Sequence, residues 1–311
     1  MTRARVGAIV CDCAPALALF LLLVIVPCVA RGQAAVAARD AGVAVGAQYD
    51  STHVYVAPDE LDAFVKSVNT TFGGQASKLI VANVLPVPSS AEFQYVWTPV
   101  GTMSVFAFQT PIPFPFGLER TGYLVTDMDA AIREARAAGA EVIVEPFKDP
   151  IGRDAVIQWP GGVKMQLYWH FTAPNYPPFE TVPDNRIYVS RDAADKFVAS
   201  FVRFAHGKVL ADDAHADAGE IGRAGETYRR IRITSGFGDM QVLVTDGHLP
   251  YPFGHETTGY EVHDLPATLE KAKGAGVKIL SAPCATDDGR MSAIVEFPGG
   301  YMAEIHSVKA R

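Results

Sequence analysis

The sequence contains no block of like charges and no stripe of lysine and arginine, and the formal net charge is −7 over 311 residues. A nucleic-acid partner needs a concentrated basic surface, so this class of function is set aside. Cysteine is scarce as well: there are four, and Cys11, Cys13 and Cys28 all lie near the N-terminus. No disulfide framework is expected to hold the fold. With 49% hydrophobic and only 20% charged residues, the chain can bury a core that does so instead. No strongly apolar run reaches the ~20 residues needed to span a bilayer.

The most apolar run, "ALALFLLLVIV" at 16–26, follows Arg3 and Arg5 and precedes Pro27 and the small residues of "CVARGQAA". Basic, then apolar, then small is the layout of a signal peptide, with cleavage after Ala30, Gly32 or Ala34. A lipidated Cys28 and an uncleaved anchor are the competing readings. The expectation is that residues 1–34 are removed, that the mature protein is periplasmic or secreted and free of the membrane, and that Cys284 is the thiol it keeps, at a loop or strand edge.

Repetition is the main feature of the remainder. Residues 114–131, "FPFGLERTGYLVTDMDAA", return at 251–268 as "YPFGHETTGYEVHDLPAT". Likewise "GRDAVIQWPGGVKMQL" from Gly152 returns as "GRMSAIVEFPGGYMAEI" from Gly289. Matched spacing over such a length marks an internal duplication. A fainter pair, "THVYVAPDELDAFVKSV" at 52–68 and "NRIYVSRDAADKFVASF" at 185–201, gives four units of about sixty residues, the first like the third and the second like the fourth.

Each unit opens on a short strand and passes into a helix with apolar or small residues at i, i+3, i+4, i+7. These are Leu61, Phe64, Val65, Val68; Met128, Ala131, Ile132, Ala135; Ala194, Phe197, Val198, Phe201; and, more weakly, Leu265, Thr268, Leu269, Ala272. Gly139 and the Gly274 to Gly276 region end the second and fourth helices. Strand-like runs follow, the last two joined at Pro160-Gly161-Gly162 or Pro298-Gly299-Gly300, so the unit is βαβββ. The proline-rich "TAPNYPPFETVPDN" then divides a first domain at 48–172 from a second at 185–308, with 173–184 as the linker.

Tandem βαβββ units, a "V-x-D-x-D-A-A" lead-in to the helix and a final "P-G-G" hairpin closing on Gln-Leu or Glu-Ile resemble the vicinal oxygen chelate superfamily, which includes glyoxalase I, extradiol dioxygenases, fosfomycin-resistance enzymes and bleomycin-binding proteins. The resemblance covers nearly all of residues 50–308. It implies an α+β fold in which four βαβββ modules pair into two glyoxalase-like domains, with curved mixed sheets around clefts. It also implies a divalent metal, where a member carries one (Fe, Mn, Ni or Zn), held by His, Gln or Glu on the first and last strands, with open positions for adjacent oxygens of a substrate.

On this resemblance the last-strand positions are Gln166 and Glu304, matched by Val105 and Val242 in the first and third units. Aligning the first strands brings His53, Gly122, Arg186 and Gly259 together, while counting back from the helix gives Arg120 and Thr257 in the second and fourth units. The candidate metal ligands are thus His53, Gln166 and Glu304. Side chains two apart share a strand face, which adds Tyr55 and Tyr168 to the first cleft and Tyr188, Glu261 and His306 to the second. Tyr55, Tyr168, Arg186 and Tyr188 are candidate substrate-binding residues, and Glu261 and His306 candidate acid or base groups.

Arg186 and Glu304 admit two readings, an ion pair in place of a metal or neighbours of a metal site. Glu119 and Glu256 are expected as exposed caps or cleft-mouth residues, and Arg153 and Arg290 as solvated turn residues. Two neutral ligands hold a hard ion poorly, and the two-histidine, one-carboxylate set of an iron-dependent ring-cleaving enzyme is absent in register. Two functions remain open: an exported binder of a small organic molecule with a degenerate metal site, or a metal-dependent lyase, isomerase or dioxygenase acting on adjacent oxygens. Export argues against a glutathione-dependent glyoxalase, and a homodimer is left open.

Overall fold

The computed structural model describes residues 42–84, 89–286 and 289–308, and the leader expected at 1–34 lies outside them. The first unit comprises β1 (Ser51–Tyr55), α1 (Leu61–Phe72), β2 (Gln75–Ala76), β3 (Ile80–Val84), β4 (Ser89–Thr98) and β5 (Gly101–Phe108). The second comprises β6 (Thr121–Leu124), α2 (Met128–Ala137), β7 (Glu141–Lys148), β8 (Gly152–Gln158) and β9 (Lys164–His170). In the third are β10 (Asp184–Val189), α3 (Arg191–Phe204), β11 (Lys208–Asp217), β12 (Thr227–Ser235) and β13 (Gly238–Val244). The fourth has β14 (Thr257–Glu261), α4 (Leu265–Gly274), β15 (Lys278–Ala285), β16 (Arg290–Glu296) and β17 (Met302–Val308).

Two curled mixed sheets result, each built from two units. One runs β2-β4-β5-β1-β6-β9-β8-β7, with β3 beside β4, and the other runs β11-β12-β13-β10-β14-β17-β16-β15. At each centre the first strands of two units meet antiparallel, and each lies parallel to the last strand of its own unit. The expected α+β architecture is therefore present, with one correction: the first unit has four strands after its helix and not three, because the two-residue β2 is added there. No described helix is long and apolar enough to cross a membrane.

The apolar helix faces are buried as their spacing predicts, apart from Val198, which is only partly buried and leaves Phe204 to complete the α3 face. Asp127 and Asp264 explain two helix starts, accepting the N–H of Ala130 at 2.7 Å and of Ala267 at 2.9 Å, which satisfies a donor that the first turn leaves free. The two cores each join one unit from either side of the proline-rich segment. One packs α2 and strands β6, β8 and β9 against α3, β10, β12 and β13. The other packs α1, β1 and β5 against α4, β14, β16 and β17, with the Phe72 and Tyr260 rings 5.2 Å apart. The helices lie on the buried side of the sheets, which leaves the opposite face of each central strand group to form a cleft.

Candidate functional site

The two clefts have the same strand scaffold and different side chains. Across the central strands His53 lies against Ser104 and Gly122 against Gln166, while in the second half Arg186 lies against Gln241 and Gly259 against Glu304. This pairing matches the first-strand alignment of His53, Gly122, Arg186 and Gly259. The last-strand expectation is corrected in two units: Val105 and Val242 point into the cores, and Ser104 and Gln241 take the cleft positions. The slip is one residue, and a slip of one moves a side chain to the opposite face. Neither "GTMSVF" nor "GDMQVL" carries the Pro-Gly-Gly marker that sets the register elsewhere. The two glycines keep space open: a Cβ on Gly122 would sit 2.6 Å from His53 Nε2, and one on Gly259 would sit 2.0 Å from Asp184 Oδ1.

In the second cleft the charges are buried and already compensated. Glu304 is fully buried, accepts from the Ser292 hydroxyl, and lies 2.7 Å from His306 Nδ1 and 4.0 Å from Arg186 Nη1. Arg186 reaches Glu220 at 3.4 Å, and Glu220 also accepts from Tyr228 Oη at 2.6 Å and from Arg230. Arg290 donates to Gln241 Oε1 at 3.0 Å and lies 3.8 Å from Asp184, whose carboxylate accepts from the Gln241 amide. His306 Nε2 faces Glu261, a half-exposed carboxylate, at 3.8 Å.

Burial alone would raise the Glu304 carboxyl, but Arg186, His306 and Arg290 outweigh it and hold it at about 2. Burial would likewise lower His306, yet Glu304 and Glu261 raise it to about 9, so the ring is cationic at neutral pH. Tyr188 packs against the small apolar cluster of Ala216, Ile221 and Tyr228 and lies within the field of Arg186, Glu220 and Glu304.

Asp184, Glu304 and His306 each present a ligand atom, all within 4.8 Å of one another, a spacing that could hold a divalent metal. Arg186 and Arg290 place guanidinium groups against the same carboxylates, 4.0 Å from Glu304 and 3.8 Å from Asp184, and like charge would repel such an ion. That geometry favours the ion-pair reading of Arg186 and Glu304.

The first cleft is open and aromatic. A cavity of about 170 Å³ is lined by Phe93, Tyr95, Phe106, Tyr168 and Tyr176, with His53, Asp154 and Gln166 among its polar groups. The Phe93 ring lies 4.5 Å from Tyr95 and 4.8 Å from Phe106, and Trp97 extends the row 5.7 Å beyond Tyr95. Tyr168 lines the cavity with its ring, while its hydroxyl donates to the Tyr49 carbonyl. Tyr55 stacks on Phe106 at 5.4 Å and donates to Glu119, behind the cavity wall.

Glu119 is fully buried, which corrects its expected exposure, and its Oε1 lies 3.5 Å from His53 Nδ1. Among the described residues, neither His53 Nδ1 nor Glu119 Oε2 has a hydrogen-bond partner. Gln166 interacts with the Asp154 carboxyl and lines the same cavity as His53.

Arg290 is buried in the second network and not solvated at its turn, whereas Arg153 remains half-buried beside Asp129 at 3.0 Å. Glu256 is half-buried, and burial, opposed by Arg120, pushes its carboxyl up to about 7. Cys284 is a free, half-buried residue of β15 at a sheet edge, its thiol pushed up by burial.

The sequence reading missed Asp184, Glu220 and Gln241 in the second cleft and Asp149 and Asp154 in the first. Asp154 had a legible signal: it lies directly across from Tyr168 on the neighbouring strand, so a polar residue there shares the cleft face. Glu220 had none, since it comes from a short 3-10 turn between β11 and β12.

No family model and no curated protein matches this sequence. Solved structures do match. A variant of 4-hydroxymandelate synthase from Streptomyces coelicolor gives a TM-score of 0.58 at 14% identity, over 87% of this chain and 94% of that one. Homoprotocatechuate 2,3-dioxygenase from Arthrobacter globiformis gives 0.55 at 12% identity, over 86% and 80%. The 2,3-dioxygenase LapB from Pseudomonas sp. KL28 gives 0.51 at 11% identity, over 86% and 93%. At such identities the likeness is one of fold: the chain has the vicinal oxygen chelate fold in its tandem form.

Proposed function

We propose that this chain is an exported protein that binds a small organic molecule in the aromatic cleft of its first half, while the second cleft is a charge-neutralised structural centre. The observation that carries this reading is the contrast between the clefts. One is a cavity of about 170 Å³ walled by aromatic rings with a few convergent polar groups, the usual character of a small-molecule site. The other keeps a cavity of about 250 Å³, but charged side chains line it, Asp184, Glu261, Arg290 and His306 among them, and arginines stand between its carboxylates. Export rests on the basic, apolar and small-residue order of the leader.

In the first cleft, Phe93, Tyr95 and Tyr176 supply stacking surface, and Asp154, Gln166 and His53 fix orientation. The test is a thermal-shift screen of small aromatic compounds against the mature chain. Fluorescence of Trp97, 6.1 Å from the Tyr176 ring, provides a second readout. Hits should raise the melting temperature by several degrees and be lost in Ile151→Trp, which fills the mouth at an exposed position. Binding that survives this substitution would place the ligand elsewhere and end the proposal.

The second reading, a divalent-metal-dependent lyase, isomerase or dioxygenase, draws on the approach of Asp184, Glu304 and His306 within 4.8 Å. Elemental analysis of protein purified without chelator, alongside Glu304→Ala and His53→Ala, decides it. About one equivalent of Fe, Mn, Ni or Zn lost in one variant would revive metal chemistry.

A further inference from the structure

We infer that the first cleft selects a cation, a small amine or quaternary ammonium carried on an apolar or aromatic body, with its charge held by Asp149 and Asp154 against the surrounding rings. This inference rests on the reading above that the cleft binds a small molecule, and it adds the chemical class. Two observations support the charge, and a third shows that the cavity is a built polar site.

The first is the charge of the lining. Among the described residues that line the cavity, Asp149 and Asp154 are carboxylates and none is lysine or arginine. The Asp149 carboxylate is fixed by the backbone N–H of Ile151, at 3.0 Å, and of Gly152, so its charge is anchored to the β7-to-β8 turn. Asp154 lines the same cavity and interacts with both Asp149 and Gln166, so two acidic side chains meet at one wall, with no lysine or arginine in the described lining. Facing it are His53, His170, Tyr95, Tyr168 and Tyr176; burial lowers the His170 imidazole, with Asp149 opposing, so that ring supplies no compensating charge at neutral pH.

The second is the ring arrangement. Phe93, Tyr95 and Phe106 form a continuous aromatic wall on β4 and β5, and Tyr168 stands on β9 across the sheet. Ring faces carry negative electrostatic potential, and a cation between several of them gains where an anion would lose. Stacking alone would suit any aromatic ligand; aromatic walls combined with a net acidic lining suit a cationic one.

The third is His53, which is 3% exposed, lines the same cavity and has no hydrogen-bond partner for Nδ1 among the described residues. Its neighbour Glu119 is fully buried, also with an unpartnered oxygen. Glu119 stands behind the cavity wall, and His53 joins the two acids as a buried polar group of the lining.

The test uses three probes of similar body and different charge, benzyltrimethylammonium, benzyl alcohol and benzoate, titrated calorimetrically into the full mature chain. The expected order is the cation at least tenfold tighter than the alcohol, with benzoate weakest. Changing both acids together, Asp149→Asn with Asp154→Asn, removes the charge while keeping shape, and should weaken the cation about tenfold and leave the alcohol unchanged. Should that variant melt early, raising the ionic strength with the parent chain is the second readout, and it should weaken the cation and leave the alcohol unchanged. Ile151→Trp should abolish all binding. If the alcohol or benzoate binds as tightly as the cation, and Ile151→Trp blocks it, the cleft is a binding site but the charge inference falls. No binding by any of the three overturns the cation inference, and the wider aromatic screen then decides separately whether the cleft binds small molecules.

Discussion

At Arg186 the strand position that carries His53 in the first half holds a guanidinium, and the chemistry of the second cleft follows from that difference. Removing it should expose the carboxylates it compensates. Arg186→Ala is expected to destabilise the protein by about 3–5 kcal/mol in metal-free buffer, because it leaves buried Glu304 and Glu220 short of a partner. The same variant should gain binding of about one equivalent of Zn²⁺ or Mn²⁺ at Asp184, Glu304 and His306, detectable by calorimetry and absent from the parent.

The network also fixes a pH dependence. His306, held at about 9, lies above the ordinary imidazole value of about 6.5, so its stabilisation is fully present below about pH 6.5 and lost as pH rises through 9. Glu304, held at about 2, stabilises above roughly pH 4.3 and loses this as pH falls through 2. The contribution is therefore largest between about pH 4.5 and 6.5. Asp154, pushed up to about 8 by burial and by Asp149, adds a cost that grows from about pH 4 to 8. Urea denaturation at pH 5.5, 7 and 9 should show stability falling on the alkaline side, with Asp154→Asn recovering on the order of 1 kcal/mol at pH 8. Stability that stays level from pH 5.5 to 9 would contradict both assignments.

The elements owe their placement to short local signals, and these were the most legible part of the sequence. The helix face Leu61, Phe64, Val65, Val68 is buried as its spacing requires, and Asp127 begins α2 by accepting a free N–H. Asp127→Ala should cost about 1 kcal/mol in urea denaturation with little change of fold. Strand register was legible only where a turn fixed it. Pro160-Gly161-Gly162 set Gln166 on the cleft face, whereas β5 and β13, without that turn, were read one residue out. Gly122 carries a packing requirement that its letter does not announce. A methyl group there meets His53 Nε2 at 2.6 Å and Tyr168 Cε1 at 2.8 Å, so Gly122→Ala should shift both rings, cost about 1–3 kcal/mol and weaken any ligand of the first cleft. Unchanged affinity for a cleft ligand in this variant would show that the floor can give way.

Over the whole molecule, the two sheets do not have a core each. Trp159 of the second unit meets Phe201 of the third at 6.0 Å, and Phe64 of the first meets Tyr301 of the fourth at 5.7 Å. Each core is completed by the other half, so the chain should unfold in one cooperative step. Its three tryptophans all lie in the first half, which makes fluorescence a probe of that half and far-UV circular dichroism a probe of both. The two denaturation curves should coincide; a fluorescence transition separated from the dichroism transition would mean that the halves fold alone. The sequence by itself determined the four strand-and-helix units, their helix faces and their likeness two by two, because periodicity and turn residues act within a few neighbours. Tertiary structure alone decided how the charges of the second cleft are paired. Asp184, Glu220, Arg290 and Glu304 are far apart along the chain, and their charges cancel only where folding brings them within a few ångströms.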